Sequence, residues 1–345
     1  MGSVKQVPTT KPALKTRPLA AIGIIFGGLA LLLISLIASI SVGAADISFG
    51  EVWQAIFHFN GNNTQHLIIQ QLRLPRAIAG ALVGAAFAVA GAIMQGVTRN
   101  PLSDPGILGI NAGAGFMLAL CFAFLPQLPF HYVILFSFLG AAIGTGLVYG
   151  ISAMAKGGVT PVRIVLAGSA VSALLLALSE GIAIYYHIGQ DLAFWFAGGV
   201  AGTKWLQVSI MAPWILVALG CAILISPWIT LLSMGEDVAT GLGLRIGLVK
   251  LAAYALVLIL AGAAVSTVGA IGFIGLIIPH IVRYLVGVDY RWIIPTSAVM
   301  GALLVVGADI GARMINPPFE TPIGALISLI GVPFFLYLAR RKRRD

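Results

Sequence analysis

The feature that most constrains this chain is the recurrence of apolar runs, each about long enough to cross a bilayer, from Leu19 to Ala339. A helix of roughly 20 such residues crosses the ~30 Å of hydrocarbon in a bilayer. Inside that hydrocarbon every backbone polar group must be satisfied within the protein, which a helix of this length achieves. Charged residues make up 9% of the 345 and apolar residues 59%, far from the balance of a soluble domain. The expectation is an all-α polytopic membrane protein with spans near 19–42, 77–97, 107–125, 131–154, 164–186, 206–228, 247–267, 272–287, 293–312 and 323–339. The first run is too long for a signal peptide and leads straight into others, so no cleavable leader is expected.

Within this pattern the segment Gly269–Gly287 stands apart. It is nearly all apolar, yet carries Gly269, Gly272 and Gly275, then Pro279, His280 and Arg283. Such breakers are tolerated in a membrane only where neighbouring helices or a cavity satisfy the freed backbone, so the segment reads as a bent, closely packed element with a short, tilted span. Gly23/Gly27, Gly80/Gly84 and Gly140/Gly144 lie four apart, the spacing that lets helix backbones approach, and plain packing accounts for them. Between the first two spans, Ala45–Arg76 is the longest polar interval. Its Ser48–Phe57 stretch places Val52/Ile56 and Trp53/Phe57 at helical spacing, as in a short helix lying at the interface.

Orientation follows from the basic residues. With the N-terminus inside, the inner segments hold sixteen of the 20 Lys and Arg, leaving Arg73, Arg76, Lys204 and Arg313 outside. Both ends are therefore expected in the cytoplasm, with a basic tail over 1–18, a membrane domain over 19–339 and a second basic tail over 340–345. Ten spans divide into two sets of five, which an odd number sets upside down to one another. Ala90–Gly96 before one Pro-containing turn echoes Val268–Gly275 before Pro279, as in the inverted repeats of transporters.

The absences narrow the chemistry. The sequence has no G-x-x-x-x-G-K-[ST], so it has no P-loop for nucleotide phosphates. Cys121 and Cys221 fall inside apolar runs, and no His/Cys/carboxylate cluster has metal-ligand spacing. Only Glu180 and Asp309 are acids well within spans, and Asp309 stands four before Arg313, a spacing that suits a simple ion pair. An ion-coupled carrier or channel acting alone would want more intramembrane carboxylates, so energy is expected from another chain. The loop Ser233–Arg245 suggests where. Gly235 breaks the preceding helix, Glu236 and Asp237 suit a first helical turn, Val238 and Leu242 share a face, and Gly243 permits a stop. This is either a helix for a partner's groove or a capped surface turn.

Met234–Gly243 resembles the coupling-helix motif of the FecCD-type permeases, the membrane subunits of ABC importers for iron–siderophores, haem and cobalamin. Leu72–Arg76, Arg99–Pro105 with Leu108-Gly109, Gly269–Arg283 with Asp289–Arg291, Glu320–Gly324 and Gly331–Phe334 resemble the same family in order and spacing. Tyr290 and Ser103 depart from it, where His and Ala are usual. The resemblance implies a type II ABC importer permease fold of ten helices in two inverted halves, in a bacterial cytoplasmic membrane. It implies that Gly235, Glu236, Asp237, Val238, Ala239, Leu242 and Gly243 grip a separate ATPase subunit, which binds the ATP and Mg while this chain binds no cofactor and no metal. It also implies that Arg73, Arg76 and Arg313 meet acidic groups of an extracytoplasmic binding protein, although headgroup anchoring fits them too. Asn100, Pro101 and Leu102 match a cytoplasmic gate, or else form a plain Asn-Pro turn. Gly272, Gly275, Pro279, His280 and Arg283 would be a structural hinge, with His280 hydrogen-bonded rather than metal-ligating. A second permease copy or a related chain would complete the pathway, with no role for nucleic acid. The implied cargo is an iron(III)–siderophore, with cobalamin or haem as the alternative.

Overall fold

The central element is the helix Leu74–Thr98, built almost wholly of Ala, Gly and other small or apolar residues and buried along nearly its whole length. The computed structural model describes residues 16–43, 47–155, 159–316 and 320–341, and side chains as far as residue 336. Lys5, Lys11, Lys15, Lys156, Lys342, Arg343 and Arg344 of the expected basic segments lie outside the described residues.

In chain order the helices are α1 (Pro18–Ser41), α2 (Phe49–Phe57), α3 (Thr64–Ile68), α4 (Leu74–Thr98), α5 (Ile110–Phe124), α6 (Phe130–Met154) and α7 (Pro161–Tyr185). They continue with α8 (Gly189–Ala197), α9 (Trp205–Ser233), α10 (Glu236–Gly241), α11 (Ile246–Val268), α12 (Ile274–Val286), α13 (Tyr290–Ile315) and α14 (Ile323–Arg341). Among the described residues there is no strand, only an isolated bridge pairing Thr16 with Gly287. Among the described residues seven stretches (α1, α3 through α4, α6, α7, α9, α11 and α13) are long and apolar enough to cross a membrane. The apolar helices α5, α12 and Ile323–Leu336 of α14 are shorter.

Packing divides these helices by role. In the most apolar window of the α3–α4 stretch 83% of residues are buried, against 6% for α1, so α4 is the axis and α1 lies on the outside of the bundle with most of its side chains exposed. Around α4 pack α13, α11, α9 and α12, while α5, α6 and α7 form a neighbouring group. Close approach rests on small residues, because lipid supplies no hydrophobic force between helices. A Cβ on Gly84 would fall on the Gly301 carbonyl of α13, and one on Gly91 on the Gly275 carbonyl of α12. Gly140 and Gly144 likewise meet α5 and the Gly109 turn, whereas Gly23 and Gly27 meet nothing within 4 Å among the described residues. In α1 it is Gly28 that seats the helix on Val299, so the expected packing role of the Gly23/Gly27 pair is corrected.

Several boundaries depart from the sequence reading. The interval Ala45–Arg76 is mostly helical. The chain is continuously helical from Thr64 to Thr98, with one π turn at Ile69–Arg73 just before Pro75. Pro75 has no N–H to donate, and the wider turn absorbs the disruption. The span expected at 107–125 begins as a 3₁₀ turn, Pro105–Leu108, before Gly109 breaks the chain at φ +74°. The span expected at 272–287 becomes the shorter α12, preceded by non-helical Gly269–Phe273, and α8 is a helix that periodicity did not announce.

Candidate functional site

The helices run back and forth, so the C-terminal end of α4 and the N-terminal end of α11 share one end of the bundle. There the loop Ser233–Arg245 folds as expected. Gly235, at φ +130°, ends the approach from α9, and Glu236 and Asp237 open α10. Val238 and Leu242 point outward, 44% and 64% exposed, while Ala239 is fully buried. Ala239 therefore seats α10 on its own bundle instead of facing a partner, and the outward apolar surface is Val238 with Leu242. Gly243, at φ +80°, turns the chain towards α11.

Beside this helix lies the turn that follows α4. Arg99 adopts a left-handed conformation at φ 53°, terminating α4. Asn100 Oδ1 accepts from Leu102 N–H at 3.0 Å, the Ser103 N–H donates to Asn100 O at 3.1 Å, and Thr98 Oγ1 lies 2.7 Å from Ser103 Oγ. Asn100, Pro101 and Leu102 thus form an internally braced turn, all three half-buried. Asp104 next caps the 3₁₀ turn by accepting from Gly106 N–H at 2.8 Å. Desolvation raises its carboxyl above the ordinary range, and the Gly106 bond pulls the other way. Glu236 joins the two features, accepting from Lys250 Nζ at 3.0 Å and from Arg99 Nη2 at 3.4 Å.

Deeper in the bundle, the breaker segment meets α4. Phe273 takes a left-handed φ of 68° and lies against Gly331 of α14. Gly275 packs on Gly91, while Gly272 has nothing within 4 Å of its Cβ position among the described residues. Gln95 donates to Gly275 O at 3.0 Å, and Arg283 bridges Gln95 Oε1 at 3.2 Å and Tyr290 Oη at 3.0 Å. The Tyr290 N–H donates to Thr230 Oγ1 at 2.9 Å, so α4, α9, α12 and α13 are tied by one polar chain. Tyr290, where His is usual in the family resembled, closes that chain through its hydroxyl. Pro279 is buried inside α12, and the His280 ring packs edge-on to Phe334 at 5.8 Å. Among the described residues no group of three His, Cys, Asp or Glu could hold a metal.

At the opposite end sit the three outer arginines. Arg73 donates to Ile40 O at 2.7 Å and Ser41 O at 2.8 Å. Arg313 donates to Ser39 O, Val42 O and Ser39 Oγ at 2.6–3.0 Å, so both arginines hold the C-terminal carbonyls of α1. Arg313 also meets Asp309 at 2.6 Å, the i,i+4 pair expected from spacing, and Arg76 meets the same carboxylate at 2.8 Å. Arg76 then reaches Glu320 at 2.5 Å, the more exposed of its two acids. Each of the three arginines therefore already has carbonyl or carboxylate partners within its own chain. Arg76 and Glu320 rim a cavity of about 790 Å³. Its wall combines the aromatics Phe122, Phe130, Phe194 and Trp195 with Gln190, Asp191, Lys204 and Gln207. Gln190, Asp191, Phe194, Trp195 and Ala197 of that wall belong to α8. Glu180 is exposed on α7.

An all-helical bundle with an aromatic and polar cavity at one end and a small outward helix at the other is the form of a multi-pass membrane transport protein. The chain belongs to the FecCD transport family, whose model matches residues 31–341. It is 54% identical over 329 residues to the iron(3+)-hydroxamate import system permease protein FhuB of Bacillus subtilis, covering 95% of this chain and 86% of that protein. It is 43% identical over 309 residues to the iron-uptake system permease protein FeuB of the same organism, covering 90% and 92%. Its fold matches a solved ABC transporter of metal-chelate type in an inward-facing conformation, with a TM-score of 0.81 and 28% identity over 93% of this chain and 99% of that one.

Proposed function

We propose that this chain is the permease subunit of an ABC importer that carries iron(III)–siderophore complexes, of hydroxamate class, into a bacterial cell. The observation that carries the reading is α10: a short helix seated by Ala239 and offering Val238 and Leu242 outward, at the end of the bundle opposite the cavity. In this reading a separate ATPase receives that helix in a groove, and both chain termini share its cytoplasmic side. A loaded binding protein docks at the other end, around Arg76 and Glu320, and delivers cargo to the cavity. The names of the relatives support the iron and hydroxamate part of the proposal. Seven long and three shorter apolar helices support ten spans in two inverted halves, and the meeting of Gly91 with Gly275 sets the two echoing stretches against each other.

Transport then follows from alternating access. The aromatic faces can hold the chelate's organic shell while Gln190, Lys204 and Gln207 offer polar groups to its oxygens. The iron stays ligated by the siderophore, so the permease needs no metal ligands. ATP and Mg belong to the ATPase, whose closure pulls on α10, and the pathway needs a second permease copy or related chain. A stand-alone ion-driven carrier is disfavoured by Asp309, a carboxylate within a span that is already paired with two arginines of its own chain. The test is cross-linking in native membranes. Cysteines at Val238 or Leu242 should join this chain to its ATPase, and cysteines at Phe26 of α1 should not. Absence of any cross-link from α10 to a nucleotide-hydrolysing chain would contradict the proposal.

A further inference from the structure

Three charged groups from three separate elements meet at the base of α10. Arg99 comes from the turn after α4, Glu236 from the start of α10 and Lys250 from the first turns of α11. We infer that Glu236 and Arg99 form a strut that carries motion of the partner-gripped helix into the Asn100–Ser103 turn, with Lys250 as its fixed foot. This rests on the reading of α10 as the ATPase grip.

The geometry gives each member a distinct job. Ala239 anchors α10 on the bundle, so the helix moves as one piece with its seat. Arg99 lies over Gly235, with Nη1 3.9 Å from where a Cβ would stand, an ordinary contact distance, so the guanidinium rests on the turn that opens α10. Because Arg99 is the last residue before the turn, a pull on its guanidinium acts directly on the backbone of Asn100. That turn is braced by three hydrogen bonds and moves as a unit. Lys250 is 13% exposed and set in the long helix α11, so it resists the pull from the other side.

The strut is weak in the isolated chain and strong in the assembly. Arg99 is 44% and Glu236 36% exposed, and ion pairs in water contribute little. A partner covering α10 would exclude that water, and the same charges attract more strongly as the local dielectric falls. The link thus strengthens when the ATPase is seated, which ties movement of the Asn100–Ser103 turn to an occupied motor.

The test compares Arg99→Gln with Arg99→Lys in the complete complex, reconstituted in proteoliposomes with ATPase and binding protein. Both replacements carry the same left-handed backbone demand, so their contrast reports the side chain's charge and reach and not backbone strain. ATP hydrolysed and ferric hydroxamate taken up are measured together. Arg99→Gln should keep hydrolysis while cargo moved per ATP falls by about fivefold, within the range over which network substitutions alter coupling; Arg99→Lys should retain most of the wild-type ratio. An unchanged ratio in Arg99→Gln would overturn the inference. So would an equal loss in both variants, which would mark a packing role, or loss of ATPase from the complex, which would mark a direct partner contact. Wild-type uptake that ignores ATP would instead overturn the importer reading beneath it.

Discussion

Asp309 is a buried carboxylate shared by two arginines. It is 1% exposed and faces Arg76 and Arg313 together. Removing its charge leaves two guanidinium groups in a poorly hydrated site, so Asp309→Asn should destabilise the outer end by about 3–5 kcal/mol. Glu320 is 47% exposed, and Glu320→Gln should cost no more than about 1 kcal/mol. Survival of the monodisperse chain on heating in detergent measures both, and equal behaviour of the two variants would contradict this account. The glycine contacts give a second prediction at this scale. Gly91→Val drives a side chain into the Gly275 carbonyl and should cost about 1–3 kcal/mol or more, while Gly146→Ala, with nothing within 4 Å among the described residues, should stay within about 1 kcal/mol of wild type by the same heating measurement.

Among the elements, α10 is where sequence and structure agree most closely and where they differ most usefully. Its bounds were legible because Gly235 and Gly243 punctuate it and Glu236 and Asp237 open it. The spacing put Val238 and Leu242 on one face, but a six-residue helix is too short to say whether that face or the one bearing Ala239 turns inward. The consequence is a split in behaviour. Ala239→Asp places a charge in a fully buried position and should lower the stability of the isolated chain. Val238→Ser with Leu242→Ser should leave that stability intact and release the ATPase on purification. Loss of stability in the double variant would show that these side chains pack within the chain after all. The same limit explains α8 and the π turn before Pro75. Nine residues rich in aromatics read equally well as interface, and a π turn differs from an α turn by one residue that no pattern marks. The partners of Arg73 and Arg313 were not legible for another reason: charge counting assigns residues to an end of the bundle but is blind to the α1 carbonyls that receive them.

At the scale of the whole molecule, fold class was legible from apolar run length alone, because a bilayer leaves so few solutions. The polar thread from Gln95 through Arg283 and Tyr290 to Thr230 was not, since its members lie far apart in sequence and only the folded bundle joins them. That thread, the Gly91–Gly275 contact and α10 link one face of α4 to the end of the bundle where a motor would act. The cavity and its charged rim lie at the other end. The most direct test of this arrangement is uptake of a ferric hydroxamate into proteoliposomes that contain the chain with its ATPase and binding protein. Uptake should require ATP and Mg together with the binding protein, and should not respond to an imposed proton or sodium gradient. Uptake driven by such a gradient without ATP would contradict the account.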